Sequence, residues 1–296
     1  MYLSRLIFVV LCLMHAGCAA AHAPDIVTAD VERFYAVYDA AGGAPGEATL
    51  QRDYLDPGTP GLRAFIPNRI VSAERLAAAI AKRPEVYAGA RHCMAALPGV
   101  RQRLARALEE LATLRPGGWQ PPITVVVGRG TSGGTVGDVG VIIGLEVACT
   151  TAEADETPED RLVHLIAHEY GHTQQGADSP SPTVLEASLR EGVAELVAEL
   201  ISGRISNHHL PEWTRGRERE LGEAFLRDRH RRDLQAWLYN GRGTREAPGD
   251  LGYWVGWRIA RRYYHQAADK RAALETLLAL RDPDGILQAS GWRPGD

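Results

Sequence analysis

At 296 residues, 45% hydrophobic and 24% charged, the chain has material for one large globular domain or two small ones. Its net charge of −4 leaves no basic footprint for nucleic acid or for an anionic membrane surface. Lys82 and Lys270 are the only lysines, so the positive charge is nearly all arginine.

Arg5 precedes an apolar run from Leu6 to Met14, and small residues follow. Nine apolar residues are too few to span a bilayer, and the layout over residues 1–23 is that of a secretory signal. Its end, His15-Ala16-Gly17-Cys18, resembles a bacterial lipobox, with histidine where leucine is usual. That resemblance makes Cys18 a lipidation site and an N-terminal lipid anchor the one membrane contact. A plain cut after Ala21 or Ala23 is the alternative. Either way the expectation is export, to the periplasm or as a membrane-anchored lipoprotein. Removing Cys12 and lipidating Cys18 leaves Cys93 and Cys149. An even pair in an oxidising compartment is a candidate disulfide; two buried thiols are the alternative.

From Ile26 to Pro116 the pattern is mostly helical. Thr28 is placed to cap a helix through Val31, Phe34, Tyr35 and Tyr38, and Ser72 another through Leu76, Ala79 and Ile80. A third runs from about Val100 to Leu114, and Tyr54 to Gly61 has the chemistry of a loop. No repeat or low-complexity linker marks a boundary, so residues 24–296 are expected to form one domain with its core between about 120 and 265.

The one strong β signal is Ile123–Val127 and Val139–Ile143, two β-branched runs around a glycine-rich stretch. Within it, Gly128-Arg129-Gly130-Thr131-Ser132-Gly133 spells G-x-G-x-x-G. A dinucleotide fingerprint needs a helix next; more glycines and a second strand follow, so the stretch reads as a flexible hairpin connection.

Next comes His168-Glu169-Tyr170-Gly171-His172, a His-Glu-x-x-His pattern inside a helical segment. Residues four apart lie one above the other, so both imidazoles can reach one zinc ion, with Glu169 placed as general base on the water that the metal activates. Thr157-Pro158-Glu159-Asp160 signals the helix start and Gly176 its stop. Apolar residues on several faces imply a packed helix, where two histidines and a glutamate are costly unless a metal satisfies them. The alternative is a buried helix with incidental histidines.

A second helical segment runs from about Thr183 to Ser202 before Gly203, with Glu191 and Glu195 one turn apart on one face. Glu212 to Asp233 mixes seven arginines with six acids and reads as a solvated, ion-paired helix. Gly252-Tyr253-Trp254-Val255-Gly256 has the small-residue spacing of a helix packed tightly on a neighbour.

Eighteen residues separate His172 from Glu191, a spacing that resembles the gluzincin metallopeptidases. The resemblance implies Glu191 as third ligand, Glu195 as an acid supporting a histidine ligand, and a downstream tyrosine or histidine, here Tyr253, at the oxyanion. It also implies an edge strand before the active-site helix that pairs with extended substrate. Metzincins place their third ligand where Asp178 stands, but Gln175 fills their glycine slot, and Met1, Met14 and Met94 all lie upstream of the site. From about Ile123 to Gly203 the chain resembles the bacterial family of predicted zinc-dependent proteases. The joint expectation is an α+β, zincin-like fold: mostly helical, with a small sheet before the active-site helix. One zinc per chain would serve hydrolysis of a peptide or protein substrate. A tethered, metal-containing binding or assembly factor is the alternative, which leaves Glu169 without a use.

Overall fold

The structure, a computed structural model, describes residues 24–150, 156–177 and 179–296. The expected secretory signal with Cys18, and Asp178, lie outside the described residues. The N-terminal part holds β1 (Ile26–Val27), α1 (Ala29–Ala40), α2 (Glu47–Leu50), α3 (Pro60–Phe65), α4 (Ala73–Lys82), α5 (Pro84–Ala90) and α6 (Leu97–Leu114). Then come β2 (Ile123–Val126), β3 (Gly134–Gly137), β4 (Gly140–Gly144) and α7 (Leu145–Thr150). The C-terminal half is helical: α8 (Pro158–Thr173), α9 (Val184–Ser202), α10 (Leu210–Trp213), α11 (Glu218–Asp228), α12 (Leu251–Gln266), α13 (Lys270–Ala279) and α14 (Pro283–Ser290). The architecture is α+β and mostly helical.

The sheet has the order β1-β2-β4-β3, with β1, β2 and β4 parallel and β3 antiparallel at the edge. This corrects the expected hairpin. Its two β-branched runs are parallel neighbours, and part of the glycine-rich stretch between them is itself β3, which pairs back on β4. β2 and β4 are buried throughout, as strands covered on both faces are. The loop expected from Tyr54 to Gly61 is also shorter, because Gln51–Leu55 is helically wound and α3 starts at Pro60. Tyr54 lies in the core, where its hydroxyl donates to Val127 O at 2.7 Å and accepts from Val127 N at 2.9 Å.

Local signals set the two central helices. Thr157 accepts from Asp160 N at 3.1 Å to start α8, and Arg103 binds Asp160 at 2.6 Å. α8 ends at Thr173, before the expected stop at Gly176. A reciprocal capping box between Thr183 and Glu186 starts α9, and Gly203, left-handed at φ 86°, ends it. α9 packs against both α8 and α12. At the α9–α12 crossing the backbones nearly touch: a Cβ on Gly256 would overlap the carbonyl of Ser188, and one on Gly192 would overlap Gly256.

The expected helix from Glu212 to Asp233 is reduced to α10 and the 11 residues of α11. The chain from 229 to 250 is largely irregular and returns over α9, with Arg231 O and Arg229 O accepting from Val184 N and Leu185 N at 2.8 and 2.9 Å. Charge density gave no hint of this, because a solvated helix and an ion-paired loop have similar compositions.

Candidate metal centre

Because α8 is continuous, His168 and His172 project from one face, and α9 crosses there with Glu191. His172 Nε2 lies 3.1 Å from both His168 Nε2 and Glu191 Oε2, and His168 Nε2 lies 3.4 Å from that oxygen. Donors about 2.0–2.1 Å from a tetrahedral zinc are about 3.3 Å apart, so the three atoms have the spacing of one open-sided site. The other ring nitrogens face acceptors. His172 Nδ1 donates to Gln175 Oε1 at 2.8 Å, and Gln175 Nε2 in turn donates to Arg190 O at 2.7 Å, which fixes the amide's orientation. His168 Nδ1 is buried without a hydrogen bond; Glu195 Oε1 stands 3.5 Å from it. With a proton on Nδ1, each neutral ring turns its Nε2 lone pair to the centre.

Electrostatics make the same demand. Two ring nitrogens and a carboxylate this close need a cation among them. Without metal a proton fills that need: burial alone would lower the pKa of His172, but Glu191 beside it raises it to about 9. Burial would likewise raise Glu191, yet His172 and His168 hold it well below the usual carboxylate range. The donor set fits a divalent metal. His164, one turn before His168, takes no part. Its Nδ1 donates to Ser202 Oγ at 2.8 Å, and burial lowers its pKa to about 4.

Glu195 is buried, with Ser206 N, Asn207 N and Asn207 Nδ2 donating to its carboxylate at 2.6, 3.2 and 2.7 Å. Glu169 is also buried, and burial pushes its pKa up. Its carboxylate lies against β3 so closely that a Cβ on Gly134 would overlap it. His168, Glu169, His172, Glu191 and β3 all line one cleft of about 980 Å³. Tyr253 lines it too, its ring 6.0 Å from that of His168 and tilted by 25°.

Two participants carry no motif in the sequence. Gln175, noted only as an obstacle to the metzincin pattern, orients His172. Tyr239 donates from its hydroxyl to Glu191 Oε1 at 2.9 Å across 48 positions of sequence. Its only local signal is an aromatic residue before Asn240-Gly241, which by itself indicates a turn. A second group of possible donors, His92, Cys93 and Cys149, lies apart from the cleft, where the two sulfurs face each other as a disulfide.

A family model described as predicted Zn-dependent protease matches residues 130–281, just over half of the chain and all of the cleft's histidines and glutamates named above. The chain belongs to this family. The match begins in the glycine-rich stretch before β3 and ends just after α13, so it takes in α8, α9 and α12 together. No curated protein and no solved structure matches the chain.

Proposed function

We propose that this protein is a zinc-dependent peptidase of zincin-like, gluzincin type that acts in the bacterial envelope. The observation that carries this is the convergence of His168 Nε2, His172 Nε2 and Glu191 Oε2 within 3.4 Å at a cleft that also holds Glu169. Zinc held by these three residues supplies a Lewis acid for the scissile carbonyl and lowers the pKa of the attacking water.

The chain's own groups account for the remaining steps. Glu169, whose raised pKa makes it a stronger base, takes the proton from the attacking water and passes it to the leaving amine. Gln175 accepts from His172 Nδ1, and Glu195, 3.5 Å from His168 Nδ1, is the acceptor for that nitrogen's proton once metal strengthens it as a donor, which keeps each ring turned inward. Tyr253 donates to the carbonyl oxygen as charge develops there. Extended substrate adds to the outer edge of β3, which is bonded on its other side to β4 and passes directly over Glu169. Main-chain pairing there holds a peptide while demanding little of its side chains. The leader residues fit export, with Cys18 as the lipid anchor; the mass of the N-terminal peptide of protein isolated from membranes tests that part.

Metal removal tests the activity. Purified protein should contain one zinc per chain and cleave members of a peptide library. A chelator should abolish cleavage and added zinc should restore it. Cleavage that persists in metal-free protein would contradict the proposal.

A further inference from the structure

One side chain touches the site in a way that the His-Glu-x-x-His pattern does not require. Tyr239 lies between α11 and α12, and its hydroxyl donates to Glu191 Oε1 at 2.9 Å. The residue is nevertheless 61% exposed, and its ring meets that of Tyr253 edge-on at 6.3 Å. The backbone at Tyr239 is left-handed, φ 58°, which is rare for so bulky a residue. Such a conformation persists only where its surroundings over-determine it.

Those surroundings form a clip. Asn240 N donates to Asp250 Oδ1 at 3.0 Å, and Asp250 N donates to Asn240 Oδ1 at 2.7 Å. Gly249 N donates to Arg242 O at 2.8 Å one step further along. Asp250 is itself left-handed at φ 51°. The loop is strained at both ends and tied across its base, and it presents one phenol to one carboxylate oxygen.

We propose that Tyr239 is a positioning residue that restricts Glu191 to a single metal-facing oxygen, so that zinc keeps an open coordination position. The inference rests on the reading of Glu191 as a ligand. A carboxylate can grip a cation through one oxygen or through both. Here Oε2 faces the two histidines, at 3.1 and 3.4 Å, while Oε1 is taken by the phenol. Without that hydroxyl, Oε1 is free to turn onto the metal and fill the position that water or substrate must occupy.

Cobalt(II) provides the test, because it absorbs strongly in the visible when four-coordinate and weakly when five-coordinate. Wild type, Tyr239→Phe and Glu191→Ala are each given one equivalent of Co²⁺ and their spectra recorded, and peptide hydrolysis is measured on the zinc forms. Phenylalanine keeps the ring, and the residue is exposed, so folding is not at issue. Tyr239→Phe should still bind cobalt, but its visible band should lose intensity and shift towards the five-coordinate form. Its kcat should fall by about 10–100-fold, with KM changed less. A Tyr239→Phe spectrum superimposable on wild type would overturn the proposal and leave the zinc site standing. Wild-type protein that takes up no cobalt, or a Glu191→Ala spectrum identical to wild type, would overturn the ligand reading and this inference with it.

Discussion

Glu195 Oε1 stands 3.5 Å from His168 Nδ1, while three donors from Ser206 and Asn207 hold the same carboxylate in place. At that distance the pair is not hydrogen-bonded, and His168 Nδ1 is buried without a partner. A metal on Nε2 makes Nδ1–H a stronger donor, and Glu195 is the acceptor in reach.

Replacing Glu195 by alanine should therefore weaken zinc binding by about 10–100-fold, measured by competition with a chromogenic chelator. Glu195→Gln should lose less, since an amide oxygen can still accept. Wild-type affinity in Glu195→Ala would remove the residue from the site's support.

Metal uptake should release a proton. His172 titrates at about 9 in the metal-free site, raised by Glu191 against the effect of burial, so at pH 7 it is protonated. Zinc needs the neutral ring, hence apparent affinity should rise about tenfold per pH unit and level off above about pH 9. Calorimetry in buffers of different ionisation enthalpy measures the release; loading at pH 7 with no proton released would contradict the assignment.

Much of this was legible in the sequence because its signals were local. Thr157-Pro158 and Gly203 each act within one helical turn, and α8 begins and α9 ends where those residues direct. The pairing of His168 with His172 follows from helical period alone. What was illegible depended on tertiary contacts. β3 has the composition of a loop, and only pairing with β4 makes it a strand. Tyr239 reaches Glu191 through a loop whose path nothing within a few residues of it specifies. The arginine-rich segment has the pattern of one long helix, because charge pattern does not separate a solvated helix from a tied-down loop.

The close crossing of α9 and α12 sets a packing test. Gly256→Ala drives a methyl group into the Ser188 carbonyl, and backbone cannot move aside as a flexible side chain would. It should cost about 1–3 kcal/mol in urea denaturation with chelator present. Because α9 carries Glu191, zinc affinity should fall in the same variant. An unchanged denaturation midpoint would show that the helices lie further apart.

Cys93 and Cys149 have Cα atoms 6.2 Å apart, inside the range a disulfide spans, and His92 Nε2 lies 3.6 and 3.9 Å from their sulfurs. We propose that they are bonded in the exported protein, closing a loop of 57 residues counted inclusively. The bond would tie the N-terminal helices to α7 and stabilise by about 2–4 kcal/mol. Thiol titration of denatured, unreduced mature protein should find neither cysteine free, and reduction should lower the unfolding midpoint. Two reactive thiols would end this expectation.

Glu169→Gln is the most direct measurement of the central claim. The substitution keeps the side chain's size and removes its basicity, and Glu169 is not among the three converging donors. Zinc content, folding and peptide affinity should match wild type, while kcat on any cleaved peptide should fall by about 10²–10⁴-fold. Equal zinc content with wild-type turnover in Glu169→Gln would contradict the account, because the proton transfer it assigns to this helix would then take place elsewhere.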